Sequence, residues 1–197
     1  MERVVVMAVS GSSWAEELLL AGDMPCPGCR GVLRPHGHGR TRTVRGLGQS
    51  AITVTPRRAR CGDCGATQIL LPTALITRRA DATEVIGNAL VATVKGAGYR
   101  TIAARLGRPE STVRRWLRRV RGDHPEWLFW KGHEVAVTLD PTILHRATYT
   151  TQLGDALNIL AGAALTYRKR YNVAESVWAL IGLLAAGHLL APPPAIT

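Results

Sequence analysis

Apolar residues recur along this chain with two different periods, and the change of period marks its organisation. Ile52 and Val54 alternate with Thr53 and Thr55, and the preceding RTRTVRG is rich in β-branched residues, which predicts a hairpin. TQILLP, from Thr67, supplies a third strand. Beyond Asp81 the period lengthens: Ala82, Val85, Ile86, Ala89, Leu90 and Thr93 or Val94 share a helical face that ends at Gly96 and Gly98. Asp81, with Glu84 three residues on, reads as a capping box opening that helix. Two further helices follow, one in YRTIAARLG and one starting near Pro109, joined by the turn Leu106-Gly107-Arg108. In the second of these, Val113, Trp116, Leu117 and Val120 fall at i, i+3, i+4 and i+7, a single apolar stripe that must face a core. Asp123 to Trp130 reads as a hinge-like stretch whose aromatics, Trp127, Phe129 and Trp130, pack on the helices before it. TQLGDALNILAGAALTYRKR and VAESVWALIGLLAAGHLL read as a hairpin of two apolar helices, with Asn172 and Glu175 as the capping box of the second.

Charge sharpens this picture. The chain of 197 residues is 46% hydrophobic, enough to fold as one ordinary domain or two small ones, and its formal net charge is +11. That charge is not spread evenly: residues 30–121 hold 19 Lys and Arg against 4 Asp and Glu, whereas the remainder holds 6 against 10. A basic centre between mildly acidic ends fits a polyanionic partner. The opening run Val4 to Val9 is too short for a secretory leader and is soon followed by Glu16 and Glu17, so a cytoplasmic, nucleoid-associated location is expected. The uncharged stretch from Ser176 is apolar only from Val177 to about Ala191 and is broken by His188. That falls short of the roughly 20 residues that span a bilayer, so a buried helix is expected there and no membrane contact.

The four cysteines come as CPGC (Cys26, Cys29) and CGDC (Cys61, Cys64). Two C-x-x-C pairs read as a four-thiolate zinc site, each knuckle delivering two sulfurs to one side of a tetrahedron. Disulfides suit an oxidising compartment, a redox motif explains only one pair, and a site that has lost its metal is the remaining alternative. With every ligand a cysteine, the metal has no open position and is structural. The 31 residues between the pairs exceed the usual spacing of about 15–20, so a folded hairpin must fill the gap, with Pro56 at an edge or bulge. This makes a three-stranded ribbon over about Pro25 to Pro72. His36 and His38 stand beside a complete ligand set and read as loop histidines.

The helix near Pro109 leaves Glu110, Ser111, Arg114, Arg115, Arg118, Arg119 and Arg121 to point outward. A face that serves only solubility interleaves its signs, and here only Glu110 is acidic. Ile102, Ala103, Leu106, Gly107, Val113 and Trp116 match the helix-turn-helix pattern of bacterial transposases, invertases and repressors. Together with the ribbon, RRARCGDCGATQILLP and GYRTIAARLGRPESTVRRWLRR resemble the zinc-ribbon plus helix-turn-helix portion of bacterial insertion-sequence transposases, and the related bacterial proteins of unknown function that carry this pair alone. The resemblance runs from Cys26 to Arg121. Arg108 departs from the apolar residue often found after the glycine, which is expected to loosen that corner, while Pro109 suits a first helical residue.

The resemblance implies a recognition helix in the major groove, with Glu110, Ser111, Arg114, Arg115 and Arg118 meeting bases or phosphates and Arg119 and Arg121 meeting phosphates. Arg40, Arg42, Arg45, Arg57, Arg58 and Arg60 of the ribbon extend the positive surface and are expected to hold neighbouring DNA backbone, Arg57 and Arg58 foremost, and Arg78 and Arg79 sit between the modules. The expected fold class is α+β, mainly α. Residues 1–24 form a strand and helix extension, 25–77 the zinc ribbon, 78–122 the helix-turn-helix and 123–197 a helical segment suited to dimerisation. The expected function is sequence-specific binding of double-stranded DNA by a transposase-derived or regulator-like protein. The alternatives are an accessory subunit or fragment of a transposase, and a non-specific nucleic-acid or protein adaptor. Asp140, Asp155 and Glu175 are the carboxylates spaced widely enough to suggest a metal-dependent nuclease site, but no strands present them together, so catalysis is not expected, nor is a small-molecule substrate. A homodimer through the C-terminal helices would supply the second half-site reader.

Overall fold

The computed structural model describes residues 4–9, 12–142 and 149–191. In chain order these form β1 (Val4–Val9), α1 (Ser12–Ala21), β2 (Leu33–His38), β3 (Arg42–Arg45), β4 (Ala51–Val54), β5 (Arg57–Cys61) and β6 (Thr67–Pro72), then α2 (Thr83–Val94), α3 (Tyr99–Leu106), α4 (Glu110–Arg119), α5 (His124–Leu139), α6 (Gln152–Tyr171) and α7 (Val177–Leu184). The class is α+β and mainly helical, as expected.

Strand β6 is where sheet and helices meet. Its neighbours Leu70 and Leu71 are both buried but face opposite sides of the sheet, as successive strand residues must. Leu70 joins Val9, Ala15, Leu19, Met24, Leu33 and Ala59 in a small core beneath α1. Leu71 joins Leu75, Val85, Ile86, Leu90, Trp116 and Leu160 in the large helical core. The sheet order is β1-β6-β5-β2, with β5 antiparallel to both of its neighbours and β1 parallel to β6. The N-terminal run VVVMAV covers the edge of β6, and of the three ribbon strands expected from sequence only TQILLP (β6) lies in this sheet, its other members β5 and β2 not being among them. The expected hairpin is present as β3 and β4, but it forms a separate two-stranded sheet inserted between β2 and β5. His36 and His38 lie on the exposed face of β2, around an irregularity between Pro35 and His38, and not in a loop. Pro56 is a buried connector between β4 and β5, its carbonyl accepting from the Gly39 N–H at 2.7 Å.

In the helical half, Ile102, Ala103, Val113, Trp116, Leu117 and Val120 are buried, so the predicted stripe does face a core. Gly107 caps α3 at φ 61° and turns the chain toward α4, a left-handed conformation that favours glycine. Three local expectations change. Residues from His124 onward are not a hinge but the start of α5, because Pro125 falls in the first turn, where its missing N–H costs nothing. Trp127 there stacks on His124 at 5.6 Å and meets His188 edge-on, and with Phe129 it packs against the helical core, whereas Trp130 is exposed and does not pack on the preceding helices. Asn172 does not open α7; it closes α6 in a left-handed conformation (φ 49°), and Ser176 caps α7 by accepting from the Ala179 N–H. No described helix is long and apolar enough to cross a membrane; residues 192–197, with the run of prolines, lie outside the described residues. The two apolar helices pack inward: α6 lies on α5, and the Trp178 ring of α7 presses on Gly87 of α2, where a Cβ would not fit.

The third change concerns Asp81. It does not cap α2, whose N-cap is Ala82 without a side-chain bond. Instead its carboxylate, 3% exposed, receives Arg45 Nε at 3.0 Å, Arg45 Nη2 at 2.8 Å and Arg108 Nε at 2.6 Å. Arg108, whose side chain is 6% exposed, also donates to the carbonyls of Gly46, Leu106 and Gly107. The residue expected to loosen the turn therefore fastens it. Backbone bonds Arg45 N to Ala80 O and Ala82 N to Arg45 O complete the joint between hairpin, connector and helix-turn-helix.

Removing Asp81 strands the buried Arg108 guanidinium. Asp81→Ala is therefore expected to lower the unfolding free energy by about 3–5 kcal/mol, read from urea unfolding of the whole chain; a loss near zero would mean the joint does not hold the modules together. His124 gives a second expectation. Burial holds its pKa below the usual imidazole range, and its Nε2 lies 3.2 Å from the Leu189 carbonyl. The unfolded chain then binds the extra proton first, so this contribution is complete above the ordinary pKa of about 6.5 and declines as pH falls toward the folded value. Thermal midpoints at pH 7.5 and 5.5 should converge more in His124→Gln than in the unsubstituted protein. An identical pH dependence in both would assign the acid sensitivity elsewhere.

Candidate metal centre and nucleic-acid interface

The cysteine pairs sit on two similar knuckles at one end of the sheet. In each, a backbone turn closes after the second cysteine: Arg30 N donates to Cys26 O at 2.8 Å, and Gly65 N to Cys61 O at 3.2 Å. Arg30 and Gly65 both adopt positive φ, 63° and 69°. The knuckles face each other, with Cys26 Sγ 3.8 Å from Cys64 Sγ and Cys29 Sγ 3.5 Å from Cys61 Sγ, and all four sulfurs lie within 4.8 Å of one another. A disulfide would need about 2.05 Å, and the thiols are free. Ligands about 2.3 Å from a tetrahedral ion are about 3.8 Å apart, so the spacing suits one metal ion. Among the described residues, this is the one cluster of histidine, cysteine and acidic side chains that can hold a metal.

The sulfurs also disturb one another's protonation. Backbone N–H groups of Cys64 and Asp63 favour the Cys61 thiolate and bring its pKa to about 7. The Gly31 backbone favours the Cys29 thiolate too, but the surrounding sulfurs and burial outweigh it and push Cys29 up to about 12. One thiolate discourages the next, a conflict that a bound cation removes.

On α4, successive residues turn by about 100°, and the buried stripe leaves a wide outer face. Glu110, Ser111, Arg114, Arg115, Arg118 and Arg119 are all exposed there, as is Arg121 just past the helix end. Contacts divide this face into two flanks. On one, Glu110 pairs with Arg100 at 3.7 Å, and the Arg114 guanidinium lies 6.0 Å from the Tyr99 ring centroid, both partners belonging to α3. On the other, Thr112, Arg115 and Trp116 border the connector Arg78–Asp81 and Arg45 of β3. Ser111 and Arg118 lie between the flanks, furthest from the core.

The ribbon arginines divide differently. Arg57 is 17% exposed and braces β5 to α1, its Nη2 donating to Glu16 at 3.0 Å and its Nη1 to the Gly37 carbonyl. Arg58 is half-buried, whereas Arg40 and Arg60 are exposed. Arg42 is half-buried and burial lowers its pKa. Arg79 is lowered likewise, by burial first and then by the charges of Arg119 and Arg115. Sequence reasoning missed the roles of Asp81 and Arg108. The signal was available: Asp81 is the acid nearest to Arg78 and Arg79. Of the three spaced carboxylates, Asp140 accepts from Thr142 and Asp155 from the Tyr149 N–H, both local bonds near helix ends.

The comparisons bear on the helical part. A family model described as a homeodomain-like domain matches residues 87–126, from within α2 through α3 and α4 to the first turn of α5. No curated protein and no solved structure matches the chain. The match stops short of all four cysteines. It shows a homeodomain-like helix-turn-helix, and such a domain suggests DNA binding.

Proposed function

We propose that this chain is a sequence-specific double-stranded-DNA-binding protein of the transposase-derived or regulator-like kind, with α4 entering the major groove and a structural zinc ion holding the ribbon. The observation that carries this reading is the outward face of α4: four arginines and one acid, with Arg121 just beyond its end, mounted on a helix-turn-helix whose back is packed. Ser111 and Arg118, at the crest, are best placed to read base edges, and Arg114 is next to them. Arginine grips guanine through two parallel hydrogen bonds and serine adapts to either member of a pair. Arg119, Arg121 and the exposed ribbon arginines meet phosphates, which gives affinity without sequence preference.

The zinc assignment rests on four thiolates at tetrahedral spacing, a donor set that favours this ion and leaves no position for substrate. The protein acts by binding and not by catalysis, working at the nucleoid. A second copy through the C-terminal helices would read an inverted half-site.

Selection from a random duplex pool by the zinc-loaded protein should enrich a motif, and Arg118→Ala should lose about 1–3 kcal/mol on that motif while weakening unrelated duplexes far less. Absence of enrichment, with binding that vanishes as salt rises, would reduce the protein to a non-specific adaptor. The purified protein should carry about one zinc per chain. Its removal by a chelator should lower the thermal midpoint, and unchanged melting after complete metal loss would overturn the structural-zinc assignment.

A further inference from the structure

Arg45 at the end of β3, the connector Arg78–Asp81 and one flank of α4 enclose a cleft of about 200 Å³, bordered by Thr112, Arg115 and Trp116. Four arginines and one carboxylate line it. That carboxylate is already shared by Arg45 and Arg108, so it neutralises none of the remaining charge. Arg78, Arg79 and Arg115 have no acidic partner among the described residues. Arg79 Nε is buried without any acceptor, and Arg78 holds a left-handed backbone (φ 58°) that ordinary side chains rarely adopt. Like charges are thus packed together around a concave space, and Arg119 adds a further one. An isolated cluster of this kind repels itself; a tetrahedral oxyanion offers several acceptors to several guanidinium forks at once.

We propose that this cleft seats one backbone phosphate of the DNA duplex that α4 enters, gripped by Arg79 and Arg115 with Arg78 beside them. The proposal rests on the DNA-binding reading and refines it. Arg115 becomes a positioning contact instead of a base reader, and base reading falls to Ser111, Arg114 and Arg118. Because one wall of the cleft is β3 and the connector, the hairpin sets how far α4 slides along the groove. The ribbon half then contributes to register without touching a base.

The test is the salt dependence of binding to a fluorescent mixed-sequence DNA duplex of about two helical turns, measured by anisotropy on the full zinc-loaded chain. Arg79→Ala and Arg115→Ala should each make the log–log salt slope shallower by about 0.9, one phosphate's worth. The double variant should lose less than the sum, and Arg168→Ala on α6 should match the unsubstituted protein. Should an alanine variant fail to fold, arginine-specific labelling of the unsubstituted protein replaces it, with the duplex shielding Arg79 and Arg115 but not Arg168. Unchanged slopes, or labelling that the duplex does not reduce, would overturn the proposal while leaving DNA binding intact. Failure of the unsubstituted protein to bind any duplex would remove the DNA-binding reading itself. Tighter binding to an RNA duplex of the same sequence would also overturn it. So would displacement of the DNA by inorganic phosphate beyond the effect of chloride at equal ionic strength, which would mark a free-anion site.

Discussion

A buried carboxylate held between two guanidinium groups fixes how the two halves of this molecule face each other. Asp81 alone receives Arg45 from the β3 hairpin and Arg108 from the turn of the helix-turn-helix. Asp81 and Arg108 compensate for each other's desolvation, and neither can be withdrawn without leaving charge in a dry site. Arg45 remains half-exposed, so its share is modest, whereas Arg108 is nearly enclosed and spends its other donors on backbone carbonyls of both halves. The joint therefore acts as a geometric constraint more than as a source of net stability. It sets the hairpin beside α4 and so decides which arginines share one surface.

That constraint explains how a chain with net charge +11 arranges its few acids. Within the basic centre, Asp81 is consumed internally and Glu110 pairs with Arg100 on one flank of α4. Glu16, outside that centre, neutralises Arg57. These three carboxylates thus tie elements together, and the flank of α4 toward the connector is left with positive charge alone. Burial is the main cause of the lowered pKa of Arg79, and the charges of Arg119 and Arg115 add to it. A bound polyanion would relieve the repulsion, which folding alone does not.

The helix-turn-helix was legible because its constraints are local: a glycine where φ is positive and apolar residues at helical spacing have few other readings. The cysteine pairs were legible for the same reason, since each knuckle is a short turn with its ligands inside it. What sequence reasoning missed depends on contacts between distant residues. Val4 to Val9 has the composition of a strand, but nothing in it names β6 as a parallel neighbour 63 positions away. Asp81 with Glu84 fits a capping box, and only the approach of Arg45 and Arg108 reveals that the carboxylate turns elsewhere. Asn172 presents the same ambiguity, because asparagine suits a helix start and a left-handed helix end alike; here Ser176 was the better start. Arg57 was grouped with the phosphate contacts by charge alone, before Glu16 of α1 was known to face it.

The C-terminal helices were open to two readings, inward packing or pairing between chains, and their burial decides what the chain itself requires. Helix α2 is buried at Thr83, Val85, Ile86, Gly87, Ala89 and Leu90, more of its circumference than α3 and α4 alone can cover. The Trp178 ring closes one side of it and α6 adds further contact, so Leu160 and Leu180 belong to the same core as Trp116 behind the arginine face. The last third of the chain thus completes the core on which α4 rests. A helix that presents a functional face needs its supporting side chains locked, and α7 braces α4 through α2. Burial of the apolar surface on α7 and on the inner side of α6 is accomplished within one chain.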